Sequence, residues 1–204
     1  MSSDQSHTIE VGGVDALYVP LMTQPNREKE CLLYAVAMSL RYCSNVHPSS
    51  AIRDDSEFMS PEEMKNEYIR VRDSGWAPTN DDLQTLSDEL GVLDLSMQYW
   101  RRSPPMGAFG DIVEAGLERD MPTIAIVDAK QIQGLNSEDG QHAIVITGIS
   151  PTHVVVADPW RDSAIRLKRE IVTDAWDTKL NRLISIEAVQ QDSLDTVQTE
   201  VEPA

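Results

Sequence analysis

The stretch HAIVITGISPTHVVVADPW, His142 to Trp160, decides the fold. His142 to Ile149 and His153 to Asp158 are β-branched runs, and Ser150-Pro151-Thr152 between them is turn chemistry. The segment therefore reads as a β-hairpin. With the turn centred near Pro151, residue numbers paired across the antiparallel ladder sum to about 300 to 302. His142 then lies opposite Asp158 or Trp160. All three positions are even-numbered, so an even register puts them on one face. An odd register would separate His142 from Asp158. An Asp beside a His can hold the ring in one tautomer and stabilise its charged form. The bland alternative is a solvated His and an Asp-Pro turn. A nucleophile elsewhere in the chain decides between them.

Cys31 is the candidate nucleophile. It opens CLLYAVAMSLRYC, Cys31 to Cys43, where Leu33, Val36, Ala37 and Leu40 recur at helical spacing without Gly or Pro. A helix N-terminus presents free N–H groups and the positive end of the dipole, which favour a thiolate. The competing reading is a small buried hydrophobe, the usual fate of a free cysteine. Cys43, at the far end, reads as structural. The two cysteines are 12 residues apart on one helix. That is about 18 Å at the helical rise, far beyond the roughly 7 Å a disulfide spans. Two unpaired thiols fit a reducing compartment.

Gln24 lies seven residues before Cys31 in the polar loop Thr23 to Glu30. Its amide can donate to a developing oxyanion together with the Cys31 backbone N–H. Trp160 can shield a His–Asp hydrogen bond from water, or simply pack. His153 is odd-numbered and faces away from His142, while His47 sits in a loop and His7 near the terminus. The His and Cys positions lack metal-ligand spacing, so no metal and no cofactor are expected.

Outward from these motifs, Val14 to Leu21 reads as a short extended lead-in. Ser60-Pro61-Glu62-Glu63 starts a helix running to about Val71. Asp81 to Leu90 is a helix stopped by Gly91, and Gly110 to Arg119 is another. Leu93 to Trp100, Pro122 to Asp128, Ile165 to Ile171 and Arg182 to Ile186 read as strands. Helices first and antiparallel strands after them make an α+β domain over residues 14–188. Residues 1–13 are expected to be a flexible N-terminus. Residues 189–204, with four acids and no base after Val189, are expected to be an acidic disordered tail.

Composition narrows the partners. The chain has 204 residues, 34 acidic against 17 basic, for a net charge of -17. Such a surface repels a phosphate backbone, which argues against nucleic acid. Five of the basic residues are Lys and 12 are Arg. An acidic, Lys-poor surface resembles that of halophilic proteins; a basic partner is the other explanation. Stability followed from low to molar KCl separates the two. No stretch approaches the roughly 18 apolar residues of a membrane span, and Met1 to Glu10 lacks signal-peptide layout. The expected location is cytoplasmic.

Together these pieces resemble the papain-like cysteine peptidase domain that removes double-glycine leaders from bacteriocin precursors, and more closely its free-standing relatives. The resemblance covers about Tyr18 to Ala188. It rests on the Gln24…Cys31 loop with its helix, DDLQTLSDELGV (Asp81 to Val92), PTIAIVD (Pro122 to Asp128), the hairpin ending in Asp-Pro, and Trp176 before a strand. It implies a nucleophile helix packed on a C-terminal antiparallel sheet. It also implies Cys31 as nucleophile, His142 as general base and acid, Asp158 as orienting group and Gln24 as oxyanion donor. The substrate would be a peptide or a protein tail. The family usually shows Asp-Cys-Gly at the nucleophile, with the Gln six residues ahead. Here the triplet is Glu30-Cys31-Leu32 and the Gln is seven ahead. The loop bulges by one residue, or Asn26 contributes instead, or the oxyanion hole is impaired. Leu32, in place of a small residue, would narrow substrate access. No transporter segment is seen in the sequence, so the double-glycine substrate itself is not an expectation here. A catalytically inactive peptide-binding module and a thiol acyltransferase or transamidase are the alternative functions on this fold.

Overall fold

A computed structural model describes residues 7–25, 30–46, 60–62, 64, 80–90, 93–99, 105, 107–133, 140–177 and 181–188. Its centre is a six-stranded antiparallel sheet. The strands are β3 (Leu93–Tyr99), β4 (Thr123–Asp128), β5 (Gln141–Ile149), β6 (His153–Ala157), β7 (Ile165–Lys168) and β8 (Arg182–Ala188). Their order across the sheet is β3-β8-β4-β5-β6-β7. PTIAIVD has no alternation of polar and apolar residues because both faces of β4 are covered. Ile124 and Ile126 enter one core, whereas Ala125 and Val127 enter the other.

The first core is capped by α1 (Cys31–Val46) and α2 (Asn80–Leu90). α1 is apolar on every side and is buried from Leu32 to Leu40, which suits a helix inside the domain. Its first intrahelical bond, Tyr34 N to Glu30 O at 3.1 Å, makes Glu30 the cap residue and starts the helix at Cys31. The second core lies under α3 (Ala108–Leu117) and α5 (Arg169–Asp177). Trp176 anchors α5 there. Its ring centroid is 5.5 Å from that of Phe109, and its indole N–H donates to Arg182 O at 3.1 Å.

Two expectations need correction, and one short helix was not expected. The strand expected over Ile165 to Ile171 stops at Lys168, and Arg169–Asp177 is helix. Ile171 and Val172 are β-branched, but Val172, Ala175 and Trp176 are buried at helical spacing. Packing in the second core overrides local β preference. The flexible N-terminus expected over 1–13 is ordered from His7. There β1 (Thr8–Glu10) pairs with β2 (Asp15–Leu17), too short a pairing for a hydrophobic period to register. A short helix, α4 (Ala129–Gln133), follows β4; Asp128 Oδ1 accepts from Lys130 N at 2.9 Å and starts it. The helix expected to run to Val71 is described only at Pro61, Glu62 and Met64. Trp100, Asn26, His47 and residues 189–204 lie outside the described residues.

The hairpin forms as expected, with one irregularity that governs the site. At its open end Val145 pairs with Ala157 and Ile146 with Val156, so pair numbers sum to 302. At its turn end Gly148 pairs with Val155 and Ile149 with Val154, giving 303. A β-bulge at Thr147 absorbs the difference. Without it the odd register would reach Asp158 and turn its side chain away from His142. The bulge is clamped by the N-terminal hairpin. A Cβ on Gly148 would sit 2.4 Å from Asp15 O and 2.9 Å from Ala16 Cβ. Gly148→Ala is expected to cost about 2 kcal/mol through this overlap. That corresponds to a fall in Tm on the order of 5 °C. Thermal denaturation checks it, and an unchanged Tm would mean that β2 is not seated on the bulge.

Candidate active site

The open end of the hairpin gathers the expected residues. His142 and Asp158 are both buried, and His142 Nε2 lies 2.7 Å from Asp158 Oδ1. Trp160 stacks on the imidazole with ring centroids 3.9 Å apart and planes 26° from parallel. Its backbone N–H donates to the same Asp158 Oδ1 at 2.9 Å, and Arg161 N donates to Asp158 O at 2.9 Å. These two bonds form a turn with Pro159 at its second position, where the ring presets φ. The register sets the face on which the carboxylate lies, and the turn holds its orientation there.

The Gln24 loop is tied to this turn. Gln24 N donates to Pro159 O at 2.7 Å, and Thr23 Oγ1 donates to Arg161 O at 3.2 Å. Trp160 Nε1 donates to Gln24 Oε1 at 3.1 Å. An indole N–H is only a donor, so this bond fixes which end of the Gln24 amide is oxygen. The NH₂ end is the other one. Gln24 is buried, with 3% exposure, so it is held in place despite its unusual distance from Cys31 in sequence.

Cys31, partly exposed, stands at the start of α1. His142 Nδ1, the nitrogen not used by Asp158, is buried and has no partner of ordinary hydrogen-bond geometry among the described residues. Cys31 nevertheless lies near enough to this ring to raise its pKa. The absence of a regular hydrogen bond at Nδ1 is compatible with a resting nucleophile–base pair. Burial by itself would lower the His142 pKa. The hydrogen bond that His142 donates to Asp158, the influence of Cys31 and the charge of Asp158 outweigh burial and push it up to about 9. For Asp158, burial raises and the His142 bond, the Trp160 N–H and Arg161 lower; the net direction is down. A charged imidazolium against a charged Asp158 carboxylate is the state these shifts favour.

The remaining positions separate clearly. The Leu32 side chain is 7% exposed and packs in the first core. Cys43 is fully buried against Met121, and burial pushes its thiol up to about 12. Both cysteines are free. His153 turns to Thr152 Oγ1 at 2.9 Å, away from His142, and His7 is exposed. Among the described residues no three His, Cys, Asp or Glu side chains cluster as they would for a metal ion, and no helix is long and apolar enough to cross a membrane. Sequence reasoning missed Thr23 and Arg161. Their only signal was adjacency to Gln24 and to the Asp-Pro-Trp run.

The helix on a twisted antiparallel sheet, with a Cys at the helix start and a His–Asp pair on the sheet, is the papain-like fold. The sequence matches the Peptidase_C39 like family over residues 16–181, and the chain belongs to that family. Among solved structures it is similar to a protein described as a C39-like peptidase from Bacillus anthracis. That pair shares 16% identity over 83% of this chain and 94% of the other, with a TM-score of 0.58. It is also similar to a double-glycine motif protease from an AMS/PCAT transporter, solved in complex with the leader peptide. There the identity is 14% over 83% and 91% of the two chains, with a TM-score of 0.52. At these identities the likeness speaks to fold. No curated protein matches the chain.

Proposed function

We propose that the protein is a cysteine peptidase that hydrolyses a peptide bond through a Cys31 thioacyl-enzyme. The observation that carries this reading is the His142 imidazole. It is gripped by Asp158 at 2.7 Å, covered by Trp160, raised in pKa by nearby Cys31, and its second nitrogen is not engaged by Asp158. In the reaction the Cys31 thiolate forms an S–C bond to the peptide carbonyl. The resulting oxyanion takes hydrogen bonds from the Gln24 NH₂ group and the Cys31 backbone N–H. The imidazolium gives its proton to the departing amine as the C–N bond breaks. His142, now neutral, takes a proton from water, the hydroxide attacks the thioester, and the carboxylic acid leaves with the thiolate restored. Asp158 keeps the ring oriented through both halves. A peptide or protein tail is the substrate class, in keeping with the leader peptide held by the similar transporter protease.

Iodoacetamide tests the central claim without a known substrate. Cys31 is expected to alkylate below pH 7 at least about tenfold faster than an ordinary thiol, because only a thiolate reacts. Cys43 serves as the unreactive internal control, since it is buried. A Cys31 rate no greater than that of a free thiol would leave a peptide-binding module as the better reading. Diversion of product to added amines would instead mark an acyltransferase.

A further inference from the structure

Asp158 is a buried carboxylate with two oxygens in different employment. Oδ1 accepts from both His142 Nε2 at 2.7 Å and Trp160 N at 2.9 Å. Oδ2 faces the Arg161 guanidinium, with Nε 3.6 Å away. The Arg161 backbone already has its own tasks: its N–H closes the turn on Asp158 O, and its carbonyl holds Thr23. Those contacts need no particular side chain. The side chain reaches back to Oδ2 while remaining 42% exposed. An exposed ion pair of this length contributes little to stability. It is nevertheless the cation beside the carboxylate that grips the imidazole.

We propose that Arg161 is a positioning residue for the His142–Asp158 pair. Its guanidinium occupies Oδ2, keeps Oδ1 turned to His142, and offsets part of the negative charge that the imidazolium feels. The inference rests on His142 being the acid and base of the site. A bare buried carboxylate would hold the proton on the ring too tightly for ready transfer to a leaving group. A cation on the far oxygen loosens that hold and brings the ring nearer the pH at which it works. Among the described residues, the ionisable groups that shift His142 are Cys31 from α1 and Asp158, and those that shift Asp158 include His142 and Arg161. On the neighbouring strand β4, Asp128 is the closest acid by register, one residue beyond the Val127 partner of His142. Its Oδ1 is bound to Lys130 N.

The test is an NMR titration of the His142 imidazole in the full chain at low salt, for wild type, Arg161→Gln and Arg161→Lys. Arg161→Gln is expected to raise the midpoint by about half a pH unit, the scale of one partly solvated charge at this distance. Arg161→Lys keeps the cation and is expected to leave the midpoint within about 0.2 unit of wild type. Molar KCl is expected to erase most of the difference, because the guanidinium is in contact with solvent. An unmoved midpoint in Arg161→Gln overturns the proposal, as does an equal rise in Arg161→Lys. Both failures differ from a failure of the peptidase reading, which shows as slow alkylation of Cys31 in the wild-type protein.

Discussion

Cys31→Ala is expected to abolish peptide hydrolysis while leaving the fold intact. The nucleophile and its base act as one unit, so removing the sulfur leaves no partial pathway. The loss is at least about 10⁴-fold in kcat. The side chain is small and only partly buried, and it borders the first core without filling it. Truncation to Ala also keeps the helix start, because the cap is made by the Glu30 carbonyl. The measurement is cleavage of a mixed peptide library by mass spectrometry, with circular dichroism as the check on folding. A folded Cys31→Ala protein that still cleaves would remove Cys31 from the mechanism. The same variant should also leave His142 less basic, since Cys31 is one of the groups that raise it.

Asp158→Asn is expected to be nearly as damaging, by another route. An amide can occupy the space, but it cannot supply the charge that holds the imidazolium, and it can present NH₂ where Oδ1 now accepts. Turnover should fall by about 10² to 10⁴-fold. The His142 midpoint should drop well below about 9, because burial then acts against only the influence of Cys31. Stability should respond to pH as well. A His whose folded pKa is raised from 6.5 to about 9 stabilises the native state fully below pH 6.5 and loses that contribution as pH climbs through about 9. The magnitude is on the order of 3 kcal/mol. Asp158, whose pKa is lowered, contributes in the other sense: its share is present above the ordinary carboxylate value and is lost as pH falls below it. Wild type should therefore weaken between about pH 7 and pH 9, while Asp158→Asn should be nearly flat there. Denaturation midpoints across that range check it, and parallel curves for the two proteins would refute the assignment.

Both variants act on a site whose parts differ in how visible they are in the sequence. His142, Asp158 and Trp160 are legible because they lie on one hairpin, where a period of two and a short turn almost specify who faces whom. Cys31 is legible because an uninterrupted apolar helix begins there. The helices and strands of the two cores follow from their own patterns, apart from α5, where Ile171 and Val172 look like strand until Trp176 is seen buried against Phe109. Leu32 shows the same limit: next to the nucleophile in sequence, it points into the core.

What the sequence determined by itself is local: which segments are helix or strand, and which chemical groups the hairpin and helix carry. Three things were decided only by tertiary structure. The bulge at Thr147 brings an odd turn-end register back to the even one that faces Asp158 toward His142, and β2 packs directly on it at Gly148. The side-chain hydrogen bonds that tie Gln24 to Trp160 and Thr23 to Arg161 join positions 136 and 138 residues apart, and no local pattern encodes them. The ionisation of His142 is set by the sum of burial, Asp158 and Cys31, three influences that meet only when β5, the turn after β6 and α1 converge. Periodicity reports the short-range geometry of the chain; register slips, loop docking and desolvation depend on what arrives from far along it.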